Sequence, residues 1–446
     1  MDLKRKLSRL SKPAAPVAPE PPPEAPLAPS EAPASDPVID ALRAQIRALS
    51  AKGARARRRV EASEILDAAD ASWPFTADDT DDGALHRATT LHPREARHGF
   101  APLSRALDAR GAAVSTLALD ASLAGFDPAR ALYVDTETTG LAGGTGTVPF
   151  LVGLGWFEGE RFCVEQLLVR APGEEAPVLA RVAERAAWAT SIVSFNGKSF
   201  DLPLLRTRLV MERRGALPAL AHLDLLHVAR RIYRARTADC TLGTLERDVL
   251  GFERVDDIPS AEIPERWLRF VREGDRAGLV AVARHNLWDV AALAALVGEL
   301  SARVERLPAE GRLEATDLVG LAKTSLRAGD AGRALDLADD ALGKGVVSAT
   351  LARQAHLLAA EAHKKRRDPA ARVQRLLDAL ALHPDDARLH LDLARSFERE
   401  LNDATRALEH ARKAAGAEDP SALTRRVRRL EARVRVGVQL RLPGVA

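Results

Sequence analysis

Short apolar runs and long helical stretches divide the chain into zones before any single residue is weighed. From Ala131-Leu132-Tyr133-Val134 onwards the runs are strand-like: Val148 to Phe157 and Arg161 to Arg170 are β-rich, and Glu158-Gly159-Glu160 between them reads as a hairpin turn. Glu174 to Ala189 carries apolar residues at helical spacing, Ser191 to Phe195 is a further strand, and helices dominate from there to Ser301. This order predicts an α/β domain over residues 131–301 with a mixed central sheet. Upstream, residues 38–130 read as a lead-in that packs on that domain. It has a helical segment from Val38 to Ala69, an acidic loop from Thr76 to Asp82, and an alternation at Leu117 and Leu119 that suits a strand. Residues 1–37 form a tail; its Pro, Ala and Glu bury no core, and disorder is expected.

Beyond about residue 310 the strands vanish and an internal period emerges. Asp330-Ala331-Gly332-Arg333-Ala334-Leu335, Asp368-Pro369-Ala370-Ala371-Arg372-Val373 and Asp403-Ala404-Thr405-Arg406-Ala407-Leu408 recur at separations of 38 and 35 residues. Together with His383-Pro384-Asp385-Asp386-Ala387 as an inter-repeat turn, these Ala-rich helix pairs over residues 310–446 resemble tetratricopeptide repeats, whose period is about 34. That resemblance implies a helical solenoid with a concave face for a protein partner. An ordinary helical bundle without such a groove fits the same residues.

Acidic residues stand at three stations in the α/β zone. Asp135 and Glu137 end the first apolar run, and two acids two apart on a strand share a face. Buried there, they need a shifted pKa or a cation to relieve their repulsion. Asp201 follows the strand and Gly-containing turn of Ile192 to Lys198, where it fits a helix cap as well as a ligand. His285 and Asp289 are four apart, so one helical face carries both; taken alone, His285 reads as an ordinary surface or core histidine. Asp224 reads as the N-cap of Leu225-Leu226-His227-Val228-Ala229-Arg230, not as a zinc ligand beside His222 and His227, since no pair of Cys or His has zinc-ligand spacing.

In this order, Asp-Thr-Glu-Thr-Thr-Gly-Leu, Phe-Asn-Gly-Lys-Ser-Phe-Asp and His-Asn-x-x-Asp resemble the DEDD exonuclease superfamily. Within it, Leu132 to Leu296 is similar to the YprB-type ribonuclease-H-like domain. The resemblance implies a two-metal phosphodiesterase acting 3′ to 5′ on single-stranded DNA or RNA. Asp135, Glu137, Asp201 and Asp289 would hold two Mg2+ or Mn2+ ions, hard cations that suit carboxylate oxygens. His285 would orient or deprotonate water, although it stands at the four-residue spacing of the tyrosine branch and not the five of the histidine branch. Thr138, Thr139, Gly140 and Leu141 correspond to the stretch that packs on the terminal nucleotide in relatives, and Asn196 and Lys198 could contact the scissile strand.

Composition changes this picture little. A formal charge of +3 on 446 residues is too close to neutral to mark a nucleic-acid binder. Arg206, Arg208, Arg213, Arg214, Arg230, Arg231, Arg234 and Arg236 cluster after Asp201 and suit either a substrate groove or solvated helix faces. No apolar stretch of about eighteen residues and no secretory start occur, so a cytoplasmic protein without a membrane partner is expected. Two rivals to the nuclease stand: a catalytically weak nucleic-acid-binding domain, and a scaffold acting through its helical repeats.

Overall fold

The structure, a computed structural model, describes residues 73–140, 146–305, 313–344 and 348–439. The tail and helical segment expected over residues 1–69, and Leu141 among the expected nucleotide contacts, lie outside the described residues.

Seven strands build one mixed sheet in the order β1-β2-β7-β6-β5-β8-β9. Its antiparallel part comprises β1 (Thr76–Thr80), β2 (Gly83–His92), β5 (Ala131–Thr138), β6 (Pro149–Glu158) and β7 (Arg161–Leu168). β8 (Ser191–Ser194) and β9 (Ala221–Asp224) then pair parallel beyond β5. β3 (Arg97–His98) and β4 (Ala101–Pro102) form a separate two-stranded ribbon. The expected α/β fold with a mixed sheet is therefore present, and the β6–β7 hairpin turns at Glu158–Arg161.

Three local expectations are corrected. Thr76 to Asp82 is not all loop: Thr76–Thr80 is an edge strand carrying Asp78 and Asp79, where charge guards an open sheet edge, and only Asp81 and Asp82 form the turn into β2. Leu117 and Leu119 belong not to a strand but to α1 (Gly111–Ala118) and its left-handed cap, since Ala113, Val114 and Leu117 bury at helical spacing. The segment around His222 forms β9 before the helix begins.

The helices that position the site are α2 (Ala176–Trp188), α3 (Asp201–Met211), α4 (Leu225–Ile232), the single turn α5 (Leu242–Leu245), α6 (Ile263–Glu273) and α7 (Arg276–Glu305). α7 passes the length and composition test for a membrane span, but 67% of its apolar window is buried within the protein, as befits a core helix. Two glycines let it lie close on the sheet. A Cβ at Gly153 would come within 2.4 Å of Asn286 Oδ1, and one at Gly155 within 2.7 Å of Val290 Cγ1.

Helices continue as α8 (Ala315–Ala328), α9 (Ala331–Leu342), α10 (Ala349–Lys365), α11 (Pro369–Leu382), α12 (Ala387–Arg399), α13 (Ala404–Arg412) and α14 (Pro420–Gln439), each packing on the next. The internal period is a recurrence of N-caps. Asp330, Asp368 and Asp403 open α9, α11 and α13, accepting from the main-chain N–H three residues on at 2.8, 3.1 and 3.0 Å. Asp386 does the same for α12, at the expected turn.

α8 to α10 share one core with the α/β domain. Leu318, Leu321, Leu337 and Ala359 join the cluster of Tyr133, Ile232, Tyr233 and Leu296, and Arg236 meets the fully buried Asp317 at 3.2 Å. α11 to α14 build a second cluster around Leu389, Leu393, Phe397 and Leu430. Arg426 is buried there between Glu398 and Glu418.

Candidate active site

The site forms where β5 runs out of the core. Ala131 to Val134 are buried, and from Asp135 the strand becomes half-exposed. A register shift at Glu137/Thr138 then breaks its pairing with β6. Directly across from Asp135 stands Gly153, whose missing side chain leaves room for Asn286 of α7. Asn286 donates from Nδ2 to Asp135 Oδ2 at 2.8 Å, and its Oδ1 accepts from Gln166 Nε2 at 2.9 Å. Gln166 also donates to Ala283 O at 2.6 Å, so a buried amide chain fixes the first carboxylate.

Thr136, between the two strand acids, donates to Asp201 Oδ1 at 2.5 Å. Asp201 is thus no helix cap: it is buried in the first turn of α3 and turned toward β5. The turn before it is held by Asp224, which accepts from the main-chain N–H groups of Asn196 at 2.8 Å, Lys198 at 3.1 Å and Leu226 at 3.1 Å. Asp224 therefore caps α4, as expected, and at the same time shapes the Asn196 turn. Asn196 is left-handed at φ 67, and a Cβ at Gly197 would meet Ser194 Oγ at 2.3 Å and Asp201 Oδ2 at 3.1 Å.

His285 and Asp289 do share a face of α7. His285 Nε2 lies 3.5 Å from Asp289 Oδ2, and ligand atoms of Glu137, His285 and Asp289 gather within 4.8 Å of one another. Among the described residues this is the group of acids and histidines that converges on one point; His222 instead bonds Ser194 at 2.7 Å.

Electrostatics tie all four acids together. Burial, then the charges of Asp289, Glu137 and Asp201, hold the Asp135 carboxyl well above its ordinary range. Burial and the neighbouring Asp289 and Asp201 push Glu137 up to about 8. Burial raises Asp201 to about 6 and also raises Asp289, against the opposing charge of Arg254. Such a set of oxygen donors, costly to ionise without a counter-charge, fits a hard divalent cation.

Sequence reasoning missed the groups behind these residues. Asp257 accepts from His285 Nδ1 at 2.8 Å. Arg254 donates to Asp289 Oδ1, to Glu246 Oε2 at 2.7 Å and to Asp257 Oδ2 at 3.2 Å. Glu246, fully buried in a π-helical turn, is bonded in turn by His98 at 2.6 Å.

The expected nucleotide contacts are placed less uniformly. Thr138 Oγ1 donates to Gly140 O at 2.9 Å, and Thr139 Oγ1 accepts from Val148 N at 3.0 Å, so both hydroxyls serve the turn itself. Lys198 Nζ lies 3.9 Å from Asp120. Of the eight clustered arginines, Arg208, Arg214, Arg231 and Arg236 bind Glu175, Asp82, Leu117 O and Asp317, while Arg206, Arg213, Arg230 and Arg234 stay exposed.

Residues 132–301 match the family model described as the RNase_H superfamily. A Bacillus subtilis (strain 168) protein named uncharacterized protein YprB is 35% identical over 185 residues, covering 41% of this chain and 45% of that protein. The chain thus spans under half the length of that relative. Residues 132–301 form an RNase_H superfamily domain.

Proposed function

We propose that this chain is a metal-dependent 3′ to 5′ exonuclease of the DEDD type, acting on single-stranded DNA or RNA. The observation that carries the reading is the convergence of Asp135, Glu137, Asp201 and Asp289, from two strand positions and two helices, at one partly buried place whose repulsion calls for bound cations. Asp135, Glu137, Asp201 and Asp289 would hold two Mg2+ or Mn2+ ions, which when bound would supply the charge that lowers the pKa of an attacking water and stabilises the departing oxygen.

The chain's own residues do the rest. Asn286 and Thr136 hold Asp135 and Asp201 in place. With Nδ1 committed to Asp257, His285 offers Nε2 to a water as a base. Thr138, Thr139 and Gly140 supply backbone beside the terminal nucleotide, and Asn196 and Lys198 lie on the turn next to Asp201, within reach of the scissile strand. The helical region acts as a tetratricopeptide-like platform for a protein partner, in a cytoplasmic setting.

Single strands of DNA and RNA labelled at one end or the other test this reading. Stepwise loss from the 3′ end is expected; internal cuts would make the enzyme an endonuclease, and intact strands with retained binding would favour the binding-module rival.

A further inference from the structure

The cation that meets the carboxylate cluster is a side chain. Arg254 lies on the irregular stretch between the π-helical turn and α6, with an exposed Val255 beside it, yet its own guanidinium is largely buried at 11% exposure. Its three nitrogens face three acids: Nε on Glu246, Nη1 on Asp257 and Nη2 on Asp289. Asp289 is the acid that belongs to the site. One of its oxygens, Oδ1, is taken by Arg254, and the other, Oδ2, faces His285 Nε2 at 3.5 Å, so a cation that binds through Oδ1 meets Arg254 already there.

We propose that Arg254 is the resident counter-cation of the site and competes with divalent cations for Asp289. The inference rests on the cation-site reading above and adds to it an exchange: Asp289 Oδ1 is held either by Arg254 or by the cation. The anchoring makes the exchange local. When Nη2 gives up Asp289, Nε and Nη1 keep Glu246, itself fixed by His98, and Asp257. The guanidinium therefore stays at the rim of the site as a fixed positive charge. A planar fork can hold three acids at once in this way, and a lysine ammonium cannot replace it geometrically.

Titration of the full chain with Mn2+, followed by the free-ion electron paramagnetic resonance signal, tests this without any turnover. Arg254→Gln should bind Mn2+ roughly tenfold more tightly than the unaltered protein, since a positive charge close to the ion and its competitor are both removed. Arg254→Lys, which keeps the charge but loses the fork, should fall between the two. Melting in EDTA should drop for Arg254→Gln, and Mn2+ should raise it by more than it raises the unaltered protein. Equal or weaker Mn2+ binding by a folded Arg254→Gln would overturn the exchange and make Arg254 a positioning group for Asp289. Should that variant not fold without metal, Arg254→Lys decides, unchanged affinity again overturning it. If the unaltered protein takes up no Mn2+, the cation site and the exchange fall together; if it binds and the variants bind no better, the exchange alone falls.

Discussion

Asp257 holds His285: Nδ1 of the imidazole lies 2.8 and 3.0 Å from the two carboxylate oxygens. An Nδ1–H donated to a carboxylate leaves Nε2 as the basic nitrogen, and that is the nitrogen facing Asp289 and the site. Despite its cost of burial, Asp257 is kept below the usual carboxylate range by the hydrogen bond and charge of His285 and by Arg254, so it stays an anion able to do this. Asp257→Asn should lower kcat/KM for a labelled single strand by about 10- to 100-fold, and His285→Ala by about 100-fold or more. Both variants should keep Mn2+ binding within a few-fold. Steady-state kinetics beside a Mn2+ titration check this, and full activity in His285→Ala would remove it as the base.

Without cations, the acids should make stability fall as pH rises. Burial and neighbouring charge lift Glu137 from 4.5 in the unfolded chain to about 8, so the folded state binds more protons across that window. Stability is then present below the lower value and is lost as pH climbs through the upper one; Asp201, raised to about 6, acts in the same sense. Melting in EDTA should decline between about pH 5 and pH 8, and Mg2+ should restore on the order of 5 °C at the alkaline end with little gain at the acid end. A pH-independent Mg2+ effect would contradict the coupling.

Gly153 is where α7 and β5 are brought together, so Gly153→Ala should be costly. The added methyl would meet Asn286 Oδ1 at 2.4 Å and Val290 Cγ2 at 2.7 Å. Urea unfolding should show a loss of about 1–3 kcal/mol from overpacking. Activity should fall as well, because Asn286 then loses its hold on Asp135; unchanged unfolding would mean that α7 does not sit so close.

A chain ending at Glu305 should fold poorly. It would uncover Ile232, Tyr233 and Leu296 against which Leu318, Leu321 and Leu337 pack, at about 1.5–3 kcal/mol for each fully buried apolar side chain. It would also strip Arg236 of Asp317. Thermal melting of that truncation beside a chain ending at Lys365 checks this, with the longer form expected to melt cooperatively and the shorter to aggregate or melt well below it.

The acids of the cluster were legible because each sits in a regular element whose period fixes its direction. Asp135 and Glu137 follow four apolar strand residues, and His285 and Asp289 ride one face of a long helix. The Asp330, Asp368 and Asp403 caps were legible as a period for the same reason. Arg254 and Asp257 were not, since an irregular stretch has no period and only the folded chain brings them beside α7. Glu246 reads as one more surface acid of a helix; its burial follows from its partners His98 and Arg254, 148 residues before it and 8 after it. β1 was missed because its acids resemble a loop, β9 because four residues are too few to show alternation, and the strand expected at Leu117 because two leucines two apart do not tell a strand from a helix cap.

The most direct test compares the unaltered protein with Asp135→Ala on end-labelled single strands in Mg2+, Mn2+ and EDTA. Cation-dependent shortening by the unaltered protein, abolished in EDTA and in the variant while strand binding persists, is the predicted result. Cleavage that survives the Asp135 substitution, or proceeds equally in EDTA, would contradict the carboxylate site as the seat of a metal-dependent nuclease.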